Sequence, residues 1–287
     1  MSKKIVLCPN PQRDGGWIVT RRVYDMLKAV GEEVVISPLF DKYGGSASIG
    51  FAPVLPLEEA LKDAKMVIPF GGDGTILSAA RAATHYGTPI LGVNLGHRGY
   101  IAEIEADRLE SILLAISDNC SVEERMMLDV KVVRNGETVF SDLALNDAVI
   151  GGIARQIDVV IYADEHKTLG FSGDGVIVST PTGSTAYSMA AGGPIVEPSA
   201  KNMIITPISP HALFARALVL SPGREVRIET GRLSDRRAYM TSDGTEPVPL
   251  KDGDIVKIST SECVTRLVQL NDISFYEKVY RKLGENQ

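Results

Sequence analysis

The decade Met66 to Thr75, MVIPFGGDGT, places a carboxylate inside a glycine turn. Met66 to Phe70 is a short apolar run of the kind that makes a buried parallel strand, and the helical pattern ILSAARAATHY follows the turn. Gly71, Gly72 and Gly74 let the backbone reverse sharply with no Cβ in the way. The turn therefore falls at a helix N-terminus, where free N–H groups and the positive end of the dipole favour an anionic group such as a phosphate. Asp73 repels that phosphate unless it holds a metal ion, or accepts a proton or hydrogen bond from a hydroxyl that attacks the phosphorus. The competing reading is that Asp73 or Thr75 caps the helix, since both residue types favour that position.

A second stretch, Gly173 to Pro194, reads GDGVIVSTPTGSTAYSMAAGGP. The strand Val176 to Ser179 enters a turn carrying Ser179, Thr180, Thr182, Ser184 and Thr185, and a short helix from about Ser184 to Ala191 leaves it. Two hydroxyls suffice to cap such a helix; five exceed that need. Asp174 precedes the strand and can accept hydrogen bonds from a ribose or an amide. Asn146-Asp147, polar between apolar runs, reads either as a turn or as a pair suited to a diol or an adenine amine.

The familiar phosphate motifs GxxxxGK[ST] and GxGxxG are absent, which argues against a P-loop enzyme and an ordinary dinucleotide oxidoreductase. His85, His97, His166 and His211 show no metal-ligand spacing, and His211 reads as a structural, hydrogen-bonded histidine. Cys8, Cys120 and Cys263 are odd in number and far apart, so they read as reduced thiols.

These residues need strands and helices to carry them. Ile5 to Cys8 and Glu33 to Ser37 predict strands, with a helix over Trp17 to Val30 whose Val23, Met26, Leu27 and Val30 share a face. Phe40 to Pro56 predicts a loop. A short helix over Leu57 to Lys65, the glycine-turn unit, a strand over Pro89 to Val93 and a helix over Asp107 to Asn119 with Leu109, Ile112, Leu113 and Ile116 inward complete a strand and helix alternation. That alternation predicts an open, mostly parallel α/β sheet whose ligands bind at the carboxyl ends of its strands, where both Asp73 and Asn94-Leu95-Gly96 fall.

From about Arg125 the texture changes. Leu128 to Val133, Asn135-Gly136 and Thr138 to Leu143 signal a hairpin. Short alternating runs follow at Asp158 to Ala163, Gly175 to Ser179, Met203 to Pro207, Ala217 to Leu220, Glu225 to Glu229, Arg237 to Thr241, Asp254 to Ser259 and Thr265 to Leu270, as in a β-sandwich. Ile273 to Leu283 predicts a helix packing back on the first domain. The expected fold is α+β in two domains: an N-terminal open α/β, Rossmann-like sheet over 1–122, completed by a C-terminal helix at 271–287, and an all-β sandwich over 123–270 with a short helical insertion.

The 287 residues carry a net charge of −6 and 23% charged residues, ordinary for a globular chain. That balance gives no broad basic surface, so nucleic acid and anionic membranes are not the expected partners. The N-terminus lacks a signal-peptide core and no long apolar run exists, so a cytoplasmic location is expected.

Gly71-Gly72-Asp73-Gly74-Thr75, Asn94-Leu95-Gly96 with Gly99, Asn146-Asp147, the Gly173 to Pro194 stretch, Ser209-Pro210-His211 and Ser242-Asp243-Gly244 stand in the order found in the NAD kinase family, which residues 66 to 246 resemble. The resemblance implies transfer of the γ-phosphate of ATP, or of another donor, to the 2′-hydroxyl of the adenosine ribose of NAD(H), giving NADP(H). It also implies a divalent cation, Mg²⁺ by preference, with no ligands assigned to it, and a homodimer or homotetramer. It makes Asp73 the group that orients or deprotonates the hydroxyl. Gly71, Gly72, Gly74 and Thr75 would lie against phosphate. Asn94, Tyr100, Asn146, Asp147, Asp174, Thr182, Thr185, Ala186, Tyr187, Ser188, Ala190 and Asp243 would line the nucleotide sites. The chain departs from the family at Arg98 and Tyr100, at Ala190 for serine, at Asp147 for glutamate, and at Thr245-Glu246 where a glutamine is common; these bear on the choice between NAD and NADH. Two other readings compete: a lipid or sugar kinase of the wider GGDGT group, and a non-catalytic NAD(P) sensor.

Overall fold

The computed structural model describes residues 3–39, 49–96, 99–117, 120–233, 236–270 and 274–284. The stretch 40–48 of the expected loop, His97 and Arg98, and the ends of the helices expected to reach Asn119 and to start at Ile273 lie outside the described residues. The chain forms two units: Met1–Glu124 with Thr265–Gln287, and Arg125–Val264.

In the first unit β1 (Lys4–Pro9) leads to α1 (Ile18–Ala29), β2 (Val34–Ile36), α2 (Leu57–Leu61), β3 (Ala64–Gly71), α3 (Asp73–Thr84), β4 (Val93–Asn94), β5 (Ile104–Glu105) and α4 (Ser111–Ile116). The five strands form a parallel sheet in the order β2-β1-β3-β4-β5. This order reverses direction between β1 and β3, and at such a switch point the loops beyond the strand ends diverge and leave a crevice. Ile5, Leu7, Ile68, Phe70, Leu91, Val93 and Ile104 are buried in one core with Val23 and Leu27 of α1. Both faces of a parallel sheet are covered, which is why β1 and β3 read as continuous apolar runs.

Several local expectations change: the helix expected over Leu57 to Lys65 ends at Leu61, with Ala64 and Lys65 opening β3, and the helix expected from Asp107 begins at Ser111. Val30, expected on the inner face of α1, is 54% exposed because the helix ends at Ala29 and Gly31 turns the chain away at positive φ. The strand expected over Pro89 to Val93 is reduced to a bridge from Ile90 to Val67 and Leu267, followed by β4. The two-residue β5 carried no period to announce it.

The second unit follows through β6 (Ser121–Arg134), β7 (Glu137–Ala144), β8 (Asp147–Ile153), β9 (Ile157–Ala163), β10 (His166–Gly173), β11 (Gly175–Ser179), α5 (Tyr187–Ala190), β12 (Met203–Ile208), β13 (Leu218–Leu220), β14 (Glu225–Thr230), β15 (Arg237–Ser242), β16 (Val248–Leu250) and β17 (Ile255–Gln269). They form two sheets, β10-β9-β14-β17-β6-β7 and β13-β12-β11-β8-β15-β16. Val130, Ile161, Ile228 and Ile258 of the first sheet and Ile150, Val176, Ile205 and Met240 of the second are buried in a single core, the interior of a sandwich. The β6–β7 hairpin turns at Asn135 and Gly136, both at positive φ, as a two-residue hairpin requires. The runs expected separately at 254–259 and 265–270 are one strand of 15 residues, since polar side chains between two apolar runs leave the backbone donors and acceptors of the ladder in place.

In the first unit, α6 (Phe275–Gly284) is held by Lys278, whose Nζ lies 2.7 Å from Glu103 Oε2, while Glu103 Oε1 accepts the Leu270 N–H at 3.0 Å. No helix among the described residues is long and apolar enough to cross a membrane.

Candidate functional site

In the first unit the site is assembled at the carboxyl ends of β1, β3 and β4. The turn after β3 is tight: a Cβ on Gly71 would overlap the Thr75 hydroxyl. That hydroxyl accepts a hydrogen bond from Asn10 Nδ2 at 3.1 Å, tying the loop after β1 to the turn. Gly72 is the N-cap of α3 and no side chain caps it, so neither Asp73 nor Thr75 has the capping role the sequence left open. The first N–H groups of a helix lack the usual intrahelical acceptor; here Thr75 N–H turns back to Gly72 O at 2.9 Å, and those of Asp73 and Gly74 belong to the glycine turn itself.

Asp73 instead receives a second piece of backbone. The Tyr100 N–H donates to Asp73 Oδ2 at 2.8 Å, and the Ile101 N–H donates to Oδ1 at 3.3 Å. A Cβ on Gly99 would overlap this carboxylate, so only glycine lets the 99–101 segment wrap it. The Tyr100 phenol has its pKa raised, first by burial and then by the Asp73 charge. Asn94 serves the frame: its Oδ1 accepts the Gly96 N–H at 3.1 Å, and its Nδ2 donates to Glu105 Oε2 at 2.9 Å. Asn10 and Arg13, whose guanidinium lies beside Gly96, were not singled out from the sequence. The available signal was a polar run directly after a buried strand of a parallel sheet, where ligands bind.

In the second unit the site is a knot around Asn146 and Asp147. Asp243, at φ 49°, follows β15 and turns its carboxylate back on three consecutive amides. Its Oδ2 accepts from Leu145 N at 2.8 Å, and Oδ1 accepts from Asn146 N at 2.8 Å and Asp147 N at 3.0 Å. Asp147, read from sequence partly as a turn, begins β8. The hydroxyl-rich loop closes on the same backbone. Thr180 N donates to Asn146 O at 2.9 Å, Thr180 Oγ1 donates to Leu145 O at 2.6 Å, and a Cβ on Gly183 would overlap the Asn146 carbonyl.

Most of the hydroxyls that pointed to a ligand build this loop. Ser184 Oγ donates to Pro181 O and accepts from Val196 N, Thr185 Oγ1 donates to Thr182 O, and Thr182 Oγ1 accepts from Arg125. Ser188 Oγ shares a 2.8 Å hydrogen bond with Thr206. Ala186 joins the 3₁₀ turn Gly183–Thr185 to α5, and Ala190 ends that helix on an exposed face. Asp174 and Tyr187 line a common cavity. The Asn146 Oδ1 is buried and makes no hydrogen bond. A buried acceptor without a donor is costly, and a ligand amine or hydroxyl would satisfy it.

Asp147 is buried, and desolvation followed by the Asp243 charge raises its pKa to about 7. Of the two carboxylates, Asp243 with its three amides is the better stabilised anion. The folded protein thus binds the Asp147 proton more tightly than the unfolded chain, whose value lies near 3.8. Stability is lost as pH rises from about 4 to about 7 and is flat above. Asp147→Asn is therefore expected to gain stability at pH 8, by about 2 to 4 kcal/mol, and to gain nothing near pH 4. Denaturant unfolding of both proteins at the two pH values measures this.

The family model of the ATP-NAD kinase N-terminal domain matches residues 5–119, and that of the ATP-NAD kinase C-terminal domain matches residues 145–270. The NAD kinase of Ruminiclostridium cellulolyticum is 35% identical over 288 residues, covering 99% of both chains. That of Caldanaerobacter subterraneus subsp. tengcongensis is 37% identical over 292 residues, again covering 99% of both. Among solved structures, an NAD kinase from Archaeoglobus fulgidus in complex with ATP superposes with a TM-score of 0.76 at 25% identity, covering 98% of both chains. Yeast NADH kinase complexed with NADH shares the fold, with a TM-score of 0.85 at 22% identity over 100% of this chain and 89% of that one.

Proposed function

The chain belongs to the NAD kinase family, and from that premise we propose that it transfers the γ-phosphate of ATP to the 2′-hydroxyl of the adenosine ribose of NAD(H), producing NADP(H). The observation that carries the chemistry is Asp73: a carboxylate in the first turn of α3, excluded from capping and oriented by two amides. It is the proton acceptor for the attacking hydroxyl, while the glycine turn and the free N–H groups of α3 receive donor phosphate. Phosphoryl transfer is mainly positioning and charge neutralisation, so two backbone bonds that fix one carboxylate serve the reaction directly.

Among the described residues no three His, Cys, Asp or Glu side chains converge as a metal cage. This donor set does not fit a resident metal, and Mg²⁺ would arrive on the phosphates of ATP and neutralise their charge there. Asn146 and Asp147 bind the adenosine part of NAD: the unsatisfied Asn146 Oδ1 takes a donor, and Asp147 takes a second one once ionised. The KM for NAD is accordingly expected to fall as pH rises through about 7. Asp174, Thr182, Thr185, Ala186, Tyr187, Ser188 and Ala190 shape the rest, partly through the loop framework they build. The NAD-binding domain, expected over 123–270, corresponds to the unit Arg125–Val264, and the donor turn lies in the unit formed by Met1–Glu124 and Thr265–Gln287. By the same resemblance the enzyme is a homodimer or homotetramer, which light scattering on the purified protein would test.

ADP release with ATP and Mg²⁺, with NAD, NADH, a diacylglycerol and fructose 6-phosphate as separate acceptors, tests the reaction. ADP formed only with a dinucleotide, alongside NADP or NADPH, is the expected result. Turnover with the lipid or the sugar would reassign the acceptor. Binding of NAD without turnover would make the protein a sensor.

A further inference from the structure

A cavity of about 450 Å³ opens in the second unit, within the range of ligand pockets, about 300 to 1,000 Å³. Asp174 and Tyr187 line it, and so does Tyr239, a β15 residue outside every motif that points to nucleotide binding. Tyr239 pairs with Gly151 across the β8–β15 ladder. A Cβ at Gly151 would stand 2.8 Å from the Tyr239 hydroxyl and 2.9 to 3.0 Å from its ring carbons, so the phenol lies directly over the bare glycine backbone. Gly152 extends the same stripped wall. Tyr187 faces the same space: after burial, the nearby Tyr239 hydroxyl and then Asp174 are the groups that raise its pKa.

We infer that Tyr239 is a binding residue for the nicotinamide ring of NAD(H), an inference that rests on the NAD kinase reading of the site. Two aromatic rings over a glycine wall suit a flat heteroaromatic ring, and the Asp174 carboxylate suits a ribose hydroxyl or a carboxamide N–H. Arg155 lines the cavity too, so one cation and one carboxylate offset each other and the rings, rather than net charge, select the ligand.

The test compares NAD with ADP-ribose, which keeps the adenosine and both phosphates but lacks nicotinamide. Titration calorimetry on the full chain is expected to show Tyr239→Ala weakening NAD about tenfold, as loss of an aromatic contact does, with ADP-ribose affinity within about twofold of wild type. Tyr239→Phe should restore NAD to within about threefold. In turnover the loss should appear in the KM for NAD and not in kcat. Gly151→Ala, which keeps the tyrosine in the sequence but pushes its phenol off the wall, should give the same selective loss. Equal loss for both ligands, or full NAD affinity in Tyr239→Ala and Gly151→Ala, would overturn the inference while leaving the kinase reading intact. A wild-type protein that makes no NADP would instead remove the reading on which the inference stands.

Discussion

Asp73→Asn is expected to lower kcat by about 10²- to 10⁴-fold, the usual range for removing a general base, while the dissociation constant for NAD changes by less than about threefold. The geometry sharpens this expectation. The wild-type carboxylate presents acceptors to both Tyr100 N–H and Ile101 N–H. An asparagine has one oxygen and one NH₂, so one of those amides meets a donor and the 99–101 segment loses a hydrogen bond as well. Gly99→Ala separates the two effects, because it keeps the carboxylate and displaces it through the overlap of the new Cβ. A comparable fall in kcat in Gly99→Ala would show that orientation, and not charge alone, is required. Steady-state kinetics with titration calorimetry on each variant measures both quantities, and an unchanged kcat in Asp73→Asn would remove Asp73 from the chemistry.

Asp243→Ala is expected to have the largest effect on stability and on NAD binding together. One carboxylate accepts three successive amides of residues 145 to 147. Hydrogen bonds to an ionised group contribute about 1.5 to 3 kcal/mol each, and buried N–H groups left unpaired add a desolvation cost. These three share one acceptor and are not additive, so a loss of about 3 to 5 kcal/mol is expected. Freed from Asp243, Asn146 and Asp147 no longer hold the geometry that the Thr180–Gly183 loop closes upon, and the KM for NAD should rise by about 10²-fold. Asp243→Asn retains one oxygen and should fall between wild type and alanine in both measurements. The alanine variant also removes the Coulombic cause of the high Asp147 pKa. The pH dependence of its NAD binding should therefore shift to lower pH, an effect that general loosening of the fold would not produce. Denaturant unfolding and a pH series of NAD titrations read these outcomes.

The glycine turn, the strand that feeds it, the hairpin at Asn135-Gly136 and the change from an α/β to an all-β texture were legible in order along the chain. Each is carried by chemistry within about ten residues: apolar periodicity, turn glycines, the loss of helical spacing. The candidate residues were legible in the same way, since GGDGT and Gly173 to Pro194 are contiguous strings. What those residues touch was not. Whether Asp73 caps a helix or holds a loop depends on Gly99 to Ile101, which arrive beside it only after β4 joins β3 in the sheet. The hydroxyls of Thr180, Ser184 and Ser188 looked like ligand groups, and the folded chain gives them Leu145, Pro181, Val196 and Thr206 as partners. Asp243 reaches amides almost a hundred positions away, and Tyr239 faces Gly151, because β15 pairs with β8. Local composition specifies which groups are present and what element bears them; sheet register, set by the burial of both sandwich faces at once, specifies which distant group each one meets.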